Sequence, residues 1–115
     1  MSDIKTFNDI EFTYDERMER YLSKTELGRG LVLSVVYGGP GNYCEMAVID
    51  GEQVPVSFEA ALFFGNDFVP LTPHDDVIGW QTAEEITALM NTIQTDKNFV
   101  RQKVDEKEEY RKEVQ

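Results

Sequence analysis

Sulfur and imidazole are scarce in this sequence, whose 115 residues include one cysteine, Cys44, and one histidine, His74. No disulfide can close within the chain, and one residue of each kind cannot assemble a zinc cluster. Long hydrophobic runs are also missing: no stretch approaches the roughly 20 apolar residues that span a bilayer. The opening residues, MSDIKTFNDIEF, lack the basic stretch and apolar run of a secretion signal. These absences predict a cytoplasmic protein. Positive charge is scarce too, with 11 Lys and Arg against 22 Asp and Glu and a net charge of −11. Such a charge repels a nucleic-acid backbone or an anionic membrane, so direct binding to either is not expected, and it keeps a small protein in solution.

What remains is enough for one core. The chain is 41% hydrophobic and 11% aromatic, and a chain of this size buries roughly two thirds of the surface that it exposes when unfolded. A single domain over 1–115 is expected, with the sheet-forming part at about 7–81 and C-terminal helices at about 82–114.

In Ile10 to Tyr14, apolar and polar residues alternate as in a half-buried strand. Asp15 to Leu27 is rich in charge, with Met18, Tyr21 and Leu22 at helical spacing, and reads either as a short surface helix or as a mobile excursion. GLVLSVVY, from Gly30 to Tyr37, is the strongest strand signal and is expected at the centre of a sheet. The glycine-rich turn GGPGN then leads into Tyr43 to Ile49 as a returning antiparallel strand. Asp50-Gly51 supplies the positive φ of a tight hairpin, so Val54 to Phe58 is expected as the next strand of a meander.

Glu59 to Pro73 is ambiguous between strand and helical turn, with a turn at Gly65-Asn66-Asp67. Thr82 and Glu85 stand at capping-box spacing ahead of Ile86, Leu89, Met90 and Ile93, which predicts a helix from Thr82. A second helix is expected from near Asp96 through Phe99, Val100 and Val104, with a charged end that frays. A meander followed by helices implies an α+β fold with mostly antiparallel strands. Residues 1 to 81 carry 14 acidic and 5 basic side chains, so this half holds −9 of the −11.

Few constellations suggest chemistry. GGPGN joins two strands and lacks the Gly-Lys-Ser/Thr ending of a triphosphate loop; it is either a flexible hairpin turn or a glycine lip that lets a ligand approach the backbone. His74, Asp75 and Asp76 could bind a metal or move a proton, but three adjacent side chains converge poorly, and a solvated turn accounts for them. Cys44 lies within an expected strand and reads as an inert buried thiol. Nothing calls for a cofactor, a metal or a catalytic residue. For binding, Tyr37, Tyr43 and Trp80 offer stacking faces and Arg29 and Arg101 offer forked phosphate contacts, unless the rings pack the core and the arginines pair with surface carboxylates.

LSVVYGGPGNYCEMAVIDG, then DDVIGWQTAEEITALM, then a charged final helix, resembles small phage-encoded counter-defence proteins, in particular the Thoeris anti-defence sponges. The resemblance spans residues 30 to 114. It implies a non-enzymatic homo-oligomer in the host cytoplasm that sequesters a cyclic ADP-ribose type nucleotide signal between chains. Val100, Val104 and Val114 extend an apolar stripe that suits contact with another chain. The charge supports a different function, an acidic inhibitor whose carboxylates imitate DNA phosphates on a basic host nucleic-acid-binding protein or nuclease.

Overall fold

The apolar run after Gly30 does become the middle of a sheet. The structure, a computed structural model, describes residues 4–41 and 43–114. A 3-10 turn at Phe7–Asp9 precedes the strands β1 (Thr13–Asp15), β2 (Arg20–Gly28), β3 (Leu31–Tyr37), β4 (Met46–Ile49), β5 (Glu52–Pro55), β6 (Phe58–Phe64), β7 (Asp67–Val69) and β8 (Val77–Gln81). Helices α1 (Ala83–Thr95) and α2 (Phe99–Val114) follow. The main sheet runs β1-β2-β3-β6-β7, and β8 shares with β7 the outer side of β6. All pairings are antiparallel, and the fold is α+β.

Several segments differ from their sequence reading. Asp15 to Leu27 is neither a surface helix nor an excursion, because residues from Arg20 onward form β2. Its inward positions are Ser23, Thr25 and Leu27, alternating with exposed Lys24 and Glu26. Hydroxyls at two buried positions hide the two-residue period from a count of apolar residues. Burial is tolerated because the Ser23 hydroxyl donates to the Val35 carbonyl at 2.9 Å. The first strand starts at Thr13 rather than Ile10, and Ile10 instead enters the core just after the 3-10 turn.

The expected return of Tyr43 to Ile49 along β3 does not occur. β4 pairs only with β5, forming a separate two-stranded hairpin, and the place beside β3 belongs to β6. Burial explains the choice: β6 turns Phe58, Ala60 and Leu62 inward, whereas no residue of β4 is buried. The Asp-Gly hairpin does form, with φ of 53° at Asp50 and 82° at Gly51, as a two-residue turn of this hand requires. The strand expected over Val54 to Phe58 is divided between the end of β5 and the start of β6.

Both helices cover one face of the sheet. Ile86, Met90 and Ile93 of α1, together with Phe99 of α2, join Leu31, Leu33, Val35, Ala60 and Leu62 in the core. The Thr82 hydroxyl accepts the Glu85 N–H at 3.2 Å while the Glu85 carboxylate accepts the Thr82 N–H at 2.9 Å, closing the capping box. α2 starts at Phe99 and is helical through Val114, with Lys103–Glu106 and Lys112–Glu109 pairs along it and Arg111 and Lys112 in its last turn. Val100 packs against the chain's own core, whereas Val104 and Val114 are exposed. No helix among the described residues is long and apolar enough to cross a membrane.

Thr82→Ala removes one half of the capping box and is expected to lower stability by about 1 kcal/mol. Met90→Ala opens a cavity at a fully buried position and is expected to cost about 2–5 kcal/mol. Denaturant midpoints of the two variants at unchanged slope check both figures.

Candidate binding site

Strand pairing brings a row of aromatic rings together at one end of the sheet. Tyr14 is opposite Tyr21, and Tyr21 is opposite Tyr37. The Tyr21 and Tyr37 rings stack at 4.8 Å and 9°. Beyond Tyr37 comes Phe58, edge-on at 5.6 Å, and Phe12 inserts between them at 4.9 Å from Tyr37 and 5.9 Å from Phe58. Phe7 closes the group at 4.8 Å from Phe58. Phe7, Phe12, Tyr37 and Phe58, with Pro55, Val56 and the start of α1 at Thr82 to Glu84, line an open cleft of about 500 Å³. Four of its nine lining residues are aromatic, and Glu84 brings a carboxylate to the lining. Burial, and then the neighbouring Tyr21, raise the Tyr37 pKa above its usual 10.0.

Trp80 belongs to the same end of the sheet. Ala60 pairs with Ile78 and Phe58 with Gln81, so Gly79 and Trp80 together face Glu59 alone in a β-bulge. Trp80 takes a φ of 59°, which a bulky residue adopts only when its surroundings impose it. Here the imposing contact is Tyr43: its carbonyl accepts the Trp80 N–H at 2.8 Å, and its own N–H donates to Glu59 Oε1 at 3.2 Å. A Cβ on Gly79 would collide with the Tyr43 Cβ, so only glycine fits there. The two rings lie 6.2 Å apart, and Trp80 remains 58% exposed.

Tyr37, Tyr43 and Trp80 therefore gather at one end, but the two arginines named with them do not join. Arg29 is in the β2–β3 turn with a φ of 54°, and its guanidinium donates to the carbonyls of Ile93 and Gln94. It caps the C-terminus of α1, where the helix dipole favours a cation. The length of β3, about 20 Å, separates that turn from Tyr37. Arg101 is on the exposed side of α2.

The HDD group is divided among separate contacts. The His74 ring packs 5.8 Å from Tyr110, Asp76 pairs with Lys107 at 3.1 Å, and the Asp75 carboxylate accepts the Val77 N–H at 3.2 Å. The Cys44 sulfur accepts the Gly38 N–H at 3.2 Å.

The β4–β5 hairpin was not anticipated as part of a surface. Val48 is 69% exposed and Ile49 is 55% exposed. The base of the hairpin adjoins Tyr43, since the Glu45 carbonyl accepts the N–H groups of Val56 and Ser57. One signal for this surface was available in the sequence: no Lys or Arg occurs between Arg29 and Lys97, so everything from β3 through α1 is free of either cation. Glu45, Asp50, Glu52, Glu59 and Glu84 all fall in that stretch. The search for matches gives none among protein-family models, curated proteins or solved structures.

Gly79→Ala is expected to displace Tyr43 from Trp80 and alter the emission of the single tryptophan, with the circular dichroism of the fold retained. For Tyr37 the sign is set by its raised pKa: the folded state keeps the phenolic proton after the unfolded chain has lost it. Its contribution to stability is thus complete below pH 10.0 and is lost as pH rises through the folded value. Tyr37→Phe is expected to flatten the decline in stability over that range, which denaturant unfolding of the two proteins at a series of alkaline pH values checks.

Proposed function

We propose that the protein is a non-enzymatic binding protein that engages a basic protein partner through the end of the sheet carrying Trp80. The observation that carries this reading is Trp80 itself, an exposed ring held at positive φ by a bulge, a glycine and the Tyr43 backbone. Rigid, exposed aromatic rings are the usual anchors of protein interfaces, where a few such residues dominate the binding energy. Val48 and Ile49, at the turn end of the hairpin whose base adjoins Tyr43, are exposed as well, Glu59 brings a carboxylate to Tyr43, and residues 30–96 contribute no Lys or Arg. Such a surface steers a cationic partner and disfavours an anionic one. A nucleic-acid-binding protein of a phage host, inhibited by occupation of its basic site, fits this chemistry.

A second reading, sequestration of a cyclic ADP-ribose type nucleotide by a homo-oligomer, is favoured by the aromatic cleft. Phe12, Tyr37 and Phe58 could stack on a base there. Its difficulty is the phosphate, because Arg29 serves α1 at the far end and Glu84 is among the residues that line the cleft.

The two readings diverge experimentally. A basic partner is expected to be captured at low salt and released as salt rises, since exposed charges are screened within about 10 Å at 0.1 M. Trp80→Ala is expected to weaken that capture by about tenfold or more. Capture that neither weakens with rising salt nor falls on Trp80→Ala would remove the partner reading. If instead an ADP-ribose cyclisation product raises the melting temperature, and Tyr37→Ala abolishes the shift while Trp80→Ala does not, the nucleotide reading takes its place.

A further inference from the structure

The two edges of the main sheet are treated differently. On the β6 side β7 and β8 share the place, and the Trp80 N–H of β8 is bonded in turn to Tyr43. On the other side β1 pairs only with Arg20, Tyr21 and Leu22, so β2 from Ser23 to Gly28 has no strand beyond it. Unpaired edges invite another strand, and proteins usually keep them short or covered. This one runs along most of the longest strand among the described residues.

Two contacts show which backbone groups the edge offers. The Leu22 carbonyl faces the Thr13 hydroxyl at 3.5 Å, and the Glu26 carbonyl accepts from the Lys5 ammonium at 2.8 Å, so both point away from β3. Alternation along the strand turns the Lys24 backbone the same way. The side chains of Lys24 and Glu26 are exposed. Thr25, between them, is buried, yet its hydroxyl makes no hydrogen bond among the described residues, unlike that of Ser23. Charge also sets this edge apart. Residues 20–29 hold Arg20, Lys24 and Arg29 against Glu26 alone, in a chain of net charge −11.

We propose that a second copy of this chain pairs along this edge, β2 against β2, antiparallel about a twofold axis through Thr25. The register sets Lys24 opposite Glu26 of the second copy and, by symmetry, Glu26 opposite the second copy's Lys24. Each such pair exchanges both backbone hydrogen bonds, because both residues turn those groups outward. Opposite charges facing across a strand pair stabilise it, and like charges oppose it. An axis through Lys24 or through Glu26 would set like charges face to face. With the axis at Thr25, the two Thr25 hydroxyls meet and each gains the partner that it lacks within one chain. The cations at this edge also lessen the repulsion between two copies of an acidic chain. The edge lies across the sheet from Trp80 and leaves that surface open, so the inference goes beyond both functional readings and rests on neither.

Sedimentation velocity of the full chain from about 1 to 200 µM tests the inference, and a dimer is expected to form within that range. Lys24→Glu and Glu26→Lys each place like charges on both sides of the axis and are expected to weaken the dimer by about tenfold or more. Both side chains are exposed, so each variant is expected to keep the circular dichroism of the fold. Mixing the two variants brings acids on one copy against cations on the other at both pairs, and is expected to return the dimer to its original strength. A contact through α2 or through the Trp80 surface has no reason to respond in this way. Three results would overturn the proposal: a monomer throughout the range, a dimer that neither single reversal weakens, or a mixture that associates no better than its separate variants.

Discussion

Everything in this molecule depends on β3 being held between β2 and β6 while α1 lies across one face of the three. Leu33, Val35 and Leu62 are fully buried, and the three that meet them from α1, Ile86, Met90 and Ile93, are fully buried too. At about 25 cal/mol per Å² of apolar surface, such burial is the dominant favourable contribution in a domain of this size. The helix is fixed at both ends, by the capping box at Thr82 and by Arg29 reaching its last carbonyls from the β2–β3 turn. The register of β3 with its neighbours is thereby locked, since a slip by one residue would turn its apolar set away from the helix.

That register has consequences at both ends of the sheet. At one end it commits Arg29 to the helix terminus. At the other it aligns Tyr14, Tyr21, Tyr37 and Phe58 into a row and leaves the chain after Tyr37 free to leave the sheet. Gly39 then passes close to Arg20 and Tyr43 lies along the β8 bulge, so Gly39 and Gly79 become places where close backbone approach admits no side chain. Aromatic exposure increases outward from Phe58, which is buried, to Tyr14, which is exposed. The two faces of the sheet also diverge: one is packed by helices, while the other keeps a hollow lined by Arg20, Ser34 and Glu59 together with Phe63, Phe68 and Val77.

The elements legible in the sequence were those governed by neighbours a few residues away. The β-branched run of β3, the capping box of α1 and the Asp50-Gly51 turn each carry their instruction within a handful of positions. β2 was not legible, because Ser23 and Thr25 fill inward positions and their fitness depends on acceptors and space supplied by other strands. Tyr37, Tyr43 and Trp80 were recognisable as ring-bearing candidates, yet the bulge that sets Trp80 apart has no local signature beyond the glycine before it.

The sequence alone determined the net charge, the impossibility of a disulfide within the chain, the α+β composition and the helix start at Thr82. Tertiary structure decided which strand became the partner of β3, which end of the sheet each arginine serves and which residues share a face. The reason is that pairing is a competition between segments far apart in the chain. β6 displaced the nearer β4 beside β3 because it buries three apolar side chains against the helix, a gain that exceeds the slowly growing entropy cost of closing the longer loop.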